Sequence, residues 1–138
     1  MRLTFANPSD VHAPFGLYSH TVSVPGGTEL LFISGQLGVR PDGSTPSSVE
    51  EQADQVFSNI VALLRAHELK PTDLIKLTTF MVAGQDGNAV RAARLKYLGS
   101  HRPASTAVFV SQLVDPAWFV EVEAIASKRR PVAGSDAA

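Results

Sequence analysis

Two stretches of this 138-residue chain, Leu30-Leu31-Phe32-Ile33 and Leu74 to Val82, are apolar or β-branched at successive positions. Side chains alternate between the two faces of a strand, so a strand made from either stretch is apolar on both sides and must be covered on both. Few helices are available to do this. Val49, Ala53, Val56, Ile60 and Leu63 recur at steps of four and three, with Phe57 and Leu64 widening the stripe. That spacing predicts an amphipathic helix packed on a sheet and ending near Ala66-His67, ahead of Pro71. A shorter helix is predicted from Asn88 to Leu98, with Val90, Ala93 and Tyr97 as one face. Arg91 and Arg94 lie one turn apart on another face and read as solvated charge. Two helices cover one sheet face. Other copies of the chain are expected to cover the second, making the protein an oligomer.

The remaining elements read as strands. Leu3 to Phe5 is a short first strand that Asn7-Pro8-Ser9-Asp10 breaks. His20 to Val24 and Glu29 to Ser34 flank Pro25-Gly26-Gly27, which predicts a hairpin. Ser47 with Glu50, or Ser48 with Glu51, has capping-box spacing for the long helix. Thr106 to Val114 and Phe119 to Ser127 are the last two strands. The order β, ββ, α, β, α, ββ predicts an α+β domain, a mixed sheet with two helices on one face. One domain is expected over residues 1–127, with an unstructured tail over 128–138.

Twelve basic and thirteen acidic residues give a net charge of −1. Without an excess of positive charge, nucleic acid and anionic membranes are disfavoured as partners. Cysteine is absent, which excludes disulfides, thiolate chemistry and Cys-based zinc sites. The first residues hold no apolar run long enough for a signal peptide, and no run of eighteen apolar residues occurs, so a soluble, cytoplasmic protein is expected. His12, His20, His67 and His101 are scattered without metal-ligand spacing, and neither a phosphate-binding glycine motif nor a nucleophile elbow is present.

Chemistry is expected where Arg102-Pro103-Ala104-Ser105-Thr106 enters one strand and where Glu121 and Glu123 lie on the same face of the last, opposite Val120, Val122, Ala124 and Ala126. Two carboxylates so spaced can act as proton donor and acceptor; the alternative is that both face water. These two strands are expected to floor one cleft. The loop Ala13-Pro14-Phe15-Gly16-Leu17-Tyr18 is unusually rich in aromatics for a connector, and either joins a site or plugs the core edge.

Several blocks occur in the order seen in one family: Ala13 to Ser19, Leu31 to Gly38, Glu51-Gln52-Ala53, Asn59-Ile60, Pro103 to Thr106 and Glu121 to Ala126. From about Pro14 to Ala126 the chain resembles the Rid family, the reactive intermediate deaminases, also called YjgF or L-PSP endoribonuclease-like proteins. The resemblance implies a chorismate-mutase-like subunit in a homotrimer with clefts between subunits. It also implies hydrolysis of small enamines and imines to a keto acid and ammonia, with neither metal nor cofactor. Tyr18 matches the cleft-lining tyrosine, Ser34 the strand-end serine and Glu121 the acid that holds the attacking water. Where the deaminases grip the substrate carboxylate with arginine in Pro-Ala-Arg-Ser, this chain has Ser105. The helical position that is asparagine in many members falls at Arg91. Three readings follow: an imine hydrolase whose cation comes from Arg91 or Arg102; a retained fold with a neutral or cationic substrate; and a non-catalytic, small-molecule-binding or chaperone-like trimer, with ribonuclease activity the least favoured variant.

Overall fold

The structure, a computed structural model, describes residues 2–128. The elements are β1 (Thr4–Ala6), β2 (Thr21–Ser23), β3 (Glu29–Leu37), α1 (Val49–Ala66), a 3-10 turn (Pro71–Asp73), β4 (Leu74–Val82), α2 (Gly87–Leu98), β5 (Ala104–Val110) and β6 (Val120–Lys128). Four strands form a mixed sheet in the order β3-β6-β4-β5. β6 runs antiparallel to both neighbours, and β4 pairs with β5 in parallel. The expected tail lies outside the described residues except for Lys128, which ends β6.

Both helices start at side-chain caps. Ser48 Oγ accepts from Glu51 N at 3.2 Å and donates to the Glu51 carboxylate at 3.2 Å, which selects Ser48 of the two serines named above. Asp86 caps α2 through Asn88 N. Val49, Ala53, Val56, Phe57, Ile60 and Leu64 of α1 meet Ile33, Leu74, Leu77, Val120, Val122, Ala124 and Ala126 in one core, which Val90, Ala93 and Leu98 of α2 extend. Leu63, assigned to the stripe by its spacing, stands at its margin and is exposed. Lys96 of α2 reaches Asp54 of α1 at 2.6 Å, and the Tyr97 hydroxyl donates to the same carboxylate.

The predicted hairpin between His20–Val24 and Glu29–Ser34 does not form. β2 pairs with β1 in a separate two-stranded sheet, while β3 takes β6 as its partner. The reason is length: β3, nine residues long, finds a ladder along most of β6, also nine, whereas β2 offers three. β3 also continues past Ser34, with its register shifting between Ile33 and Gln36, a bulge that bends the strand and re-aims its side chains. β5 begins two residues earlier than expected and stops at Val110.

The sheet face away from the helices carries Leu30, Phe32, Phe80, Val108 and Ile125, and within one chain Phe32 is 70% exposed. No helix among the described residues is long and apolar enough to cross a membrane.

One buried polar side chain fixes the loops flanking the sheet. Gln52, with 0% exposure, donates to Pro46 O (2.9 Å) and Ala117 O (2.8 Å) and accepts from Phe119 N (2.8 Å). Gly38 makes room, since a Cβ there would lie 2.6 Å from Gln52 Cα. Gln52→Leu leaves one buried and two part-buried backbone groups without this partner and should destabilise the fold by about 2 kcal/mol. Urea unfolding at fixed protein concentration should show a lowered midpoint with an unchanged slope.

Candidate active site

Glu121 is set by two ladders at once, opposite Leu37 of β3 and Phe80 of β4. Its carboxyl group lies directly over the β3 bulge. A Cβ on Gly35 would collide with its Oε2 and stand 2.8 Å from its Cδ, so glycine is what lets the acid rest on the strand backbone. Ser34 precedes this point, is exposed, and follows the core-facing Ile33 in the alternation. Gln36 Nε2 donates back to Ser34 O at 3.1 Å. Glu123 is one pair further along, opposite Thr78, and exposed. Among the described residues neither acid is ion-paired.

Ser105 lies elsewhere. Leu77 of β4 pairs with Ser105 on one side and with Ala124 on the other, and directly opposed residues in neighbouring strands share a face. Leu77 and Ala124 are buried under the helices, so Ser105 is on the helix side of the sheet and Glu121 on the open side. The expectation that the two strands floor one cleft is corrected: within one chain they present these residues to opposite faces.

On the helix side the Ser105 hydroxyl is fully engaged. It accepts from Arg94 Nη2 at 2.9 Å and donates to Pro103 O at 3.2 Å. The second proton of Arg94 Nη2 goes to Leu17 O. Arg94 is therefore no solvated charge, contrary to its reading above. α2 lays it across the start of β5 and the segment before Ser19, which is tied to β5 by Ser19 N donating to Pro103 O at 3.2 Å. Burial, and after it the positive charges of Arg102 and Arg91, push the Arg94 guanidinium down to about 10, still cationic at neutral pH. Its Nε is buried and has no acceptor among the described residues.

The two arginines named from sequence as alternative cations have other places. Arg102 Nη1 donates to Gly99 O (2.9 Å) and His101 O (3.2 Å), which satisfies carbonyls at the end of α2 and favours its negative pole. Arg91 is exposed, and its Nη1 is 3.8 Å from where a Cβ on Gly16 would lie. Tyr18 belongs to the same loop: its hydroxyl accepts from Phe15 N at 3.1 Å and its ring meets His20 edge-on. Phe15 does not plug the core. It is 84% exposed and stacks on His12 with centroids 4.6 Å apart.

Thus Arg94, Ser105 and the loop through Tyr18 form one cluster, and Ser34, Gly35 and Glu121 form another. Arg94 was missed as a site residue, yet it carries a signal: it is four residues after the core-facing Val90 and next to the buried Ala93, at the border of the apolar face rather than opposite it.

The family model described as endoribonuclease L-PSP matches residues 10–128. A 2-iminobutanoate/2-iminopropanoate deaminase of Capra hircus is 35% identical over 116 residues, covering 83% of this chain and 82% of that protein. Among solved structures, a Rid-family protein of Yersinia pestis superposes with a TM-score of 0.80 at 27% identity, covering 91% of this chain and 98% of that one. Escherichia coli TdcF with bound serine gives 0.67 at 29% identity, covering 83% and 91%. These matches span both clusters described above, and the chain belongs to the Rid family, the L-PSP endoribonuclease-like proteins.

Proposed function

We propose that the protein hydrolyses small imines and enamines to a carbonyl compound and ammonia, in clefts between the subunits of a homotrimer. The observation that carries this reading is the Arg94 guanidinium held on the Ser105 hydroxyl. A substrate carboxylate moved from water into a cleft needs a charge-assisted partner to offset its desolvation. At the position where the family resemblance implies an arginine, this chain keeps a cation but delivers it from the helix. Ser105 is then a positioning residue for Arg94, and Arg102 serves the helix terminus. The homologous deaminase and the serine-bound relative support a substrate derived from an amino acid.

Glu121 and Arg94 belong to opposite sheet faces of one chain, so a cleft containing both is built from two subunits, the open face of one meeting the β5 edge of the next. The exposed apolar face supplies the contact surface. In this cleft an enamine is first protonated on carbon to its imine. Glu121 accepts a proton from water as the water oxygen bonds to the carbon of the protonated imine, giving a neutral carbinolamine. The carboxyl group passes that proton to the nitrogen; as the carbon–nitrogen bond breaks and ammonia leaves, the hydroxyl proton returns to the Glu121 carboxylate and then to solvent, and the carbonyl forms. The Tyr18 hydroxyl accepts from Phe15 N and keeps its own proton to donate to the substrate; Ser34 is exposed and precedes Gly35, over which the Glu121 carboxylate lies.

The ribonuclease activity in the family description fits less well, because Glu121 and Glu123 repel a phosphate backbone. A neutral or cationic substrate is disfavoured by the half-buried Arg94.

Keto-acid release from 2-iminopropanoate generated in situ should exceed the spontaneous rate, and Glu121→Gln should lower kcat by about a hundredfold or more. Arg94→Gln should act mainly on KM. A wild-type rate equal to the spontaneous one would refute the proposal. Gly35→Ala keeps the acid but displaces it from the bulge, so kcat should fall by about tenfold or more with little change in Tm.

A further inference from the structure

Helix α2 carries three long cations with different fates. Lys96 takes a carboxylate partner, Asp54, at 2.6 Å. Arg91 and Arg94 take none. The ion pairs among the described residues are Arg40–Glu51 and Lys96–Asp54, and neither involves these arginines. Side chains three apart on a helix are neighbours, and both guanidinium groups lie along the same short segment, Arg91 against Gly16 and Arg94 on Leu17 O. Like charges so placed repel, the more so when one is half-buried.

Donor geometry narrows what would relieve this. Nη2 of Arg94 is spent on Leu17 O and Ser105, and its Nε is enclosed. Nη1 is the edge left for a ligand, enough for one acid group. That group would leave Arg91 unneutralised, one helical turn away. Arg102 comes from the segment after α2 and spends its Nη1 on Gly99 O and His101 O, so Arg91 is the cation that α2 itself places one turn from Arg94.

We infer that the site selects substrates with two acid groups: imines of dicarboxylic amino acids, with the carboxylate beside the imine carbon on Arg94 and the distal carboxylate on Arg91. This rests on the imine-hydrolase reading for the reaction, but the binding preference can be measured without turnover. The chemistry is unchanged: water adds at the imine carbon, ammonia leaves, and the distal carboxylate takes no part in bond making. Arg91 is a specificity residue.

Calorimetric titration of the full chain with succinate and 2-oxoglutarate, against propionate and pyruvate, tests the preference. The diacids should bind about tenfold more tightly, the order expected for one further charge-assisted contact at a partly exposed site. Arg91→Gln should bring the ratio close to one, whereas Arg65→Gln, an equal charge change on the exposed end of α1, should leave it intact. Equal affinity for the two classes, or a ratio insensitive to Arg91→Gln, would overturn the inference. So would displacement of the diacid by an RNA oligonucleotide at much lower concentration, which would assign the arginine pair to phosphates. A diacid preference without keto-acid release from any imine would instead count against the reaction and leave the binding class standing.

Discussion

β6 lies between β3 and β4, paired along its length on both sides, and that double ladder governs what the other elements can do. A strand held on both edges cannot slip by one residue without exchanging its two faces. Val120, Val122, Ala124 and Ala126 are thereby committed to the helices and Glu121 and Glu123 to the open side. The cost of the alternative is large, because a slip would bury two carboxylates and expose the centre of the core. The bulge in β3 then follows as a local accommodation: the Glu121 carboxyl group needs somewhere to lie, and Gly35 provides a stretch of backbone with no side chain above it.

The opposite side of the sheet carries the molecule's main electrostatic tension. Arg94 is drawn into a partly buried position by two hydrogen bonds from one nitrogen, against the cost of desolvation and the proximity of Arg91 and Arg102. Such a group gains more from an anionic ligand than a solvated one does, because its charge is already stripped of water and already oriented. The serine at the start of β5 and the arginine on α2 act as a pair, because the Ser105 hydroxyl accepts from the Arg94 guanidinium.

Much of the fold was legible from local pattern. The α1 stripe, the limits of β4 and the alternation in β6 follow from periodicities of 3.6 and 2, which depend only on near neighbours in sequence. The partner of β3 was not legible. Pro25-Gly26-Gly27 has the chemistry of a hairpin turn, but strand pairing is decided by ladder length and by which side chains become buried. The bulge was invisible for the same reason, since Ser34-Gly35-Gln36 reads as a strand end until a carboxylate is placed over it.

By its residues alone the chain determined its family and most of its secondary structure, because blocks of small and acidic residues in fixed order need no third dimension to be compared. Only the tertiary structure decided which of the singled-out residues meet. It assigned Ser105 and Glu121 to opposite faces, gave Arg102 to the end of α2, and brought Arg94 onto the serine from eleven residues away. Charge is read by distance in space, and the packing of α2 against the core, from which Arg94 reaches the start of β5, sets that distance.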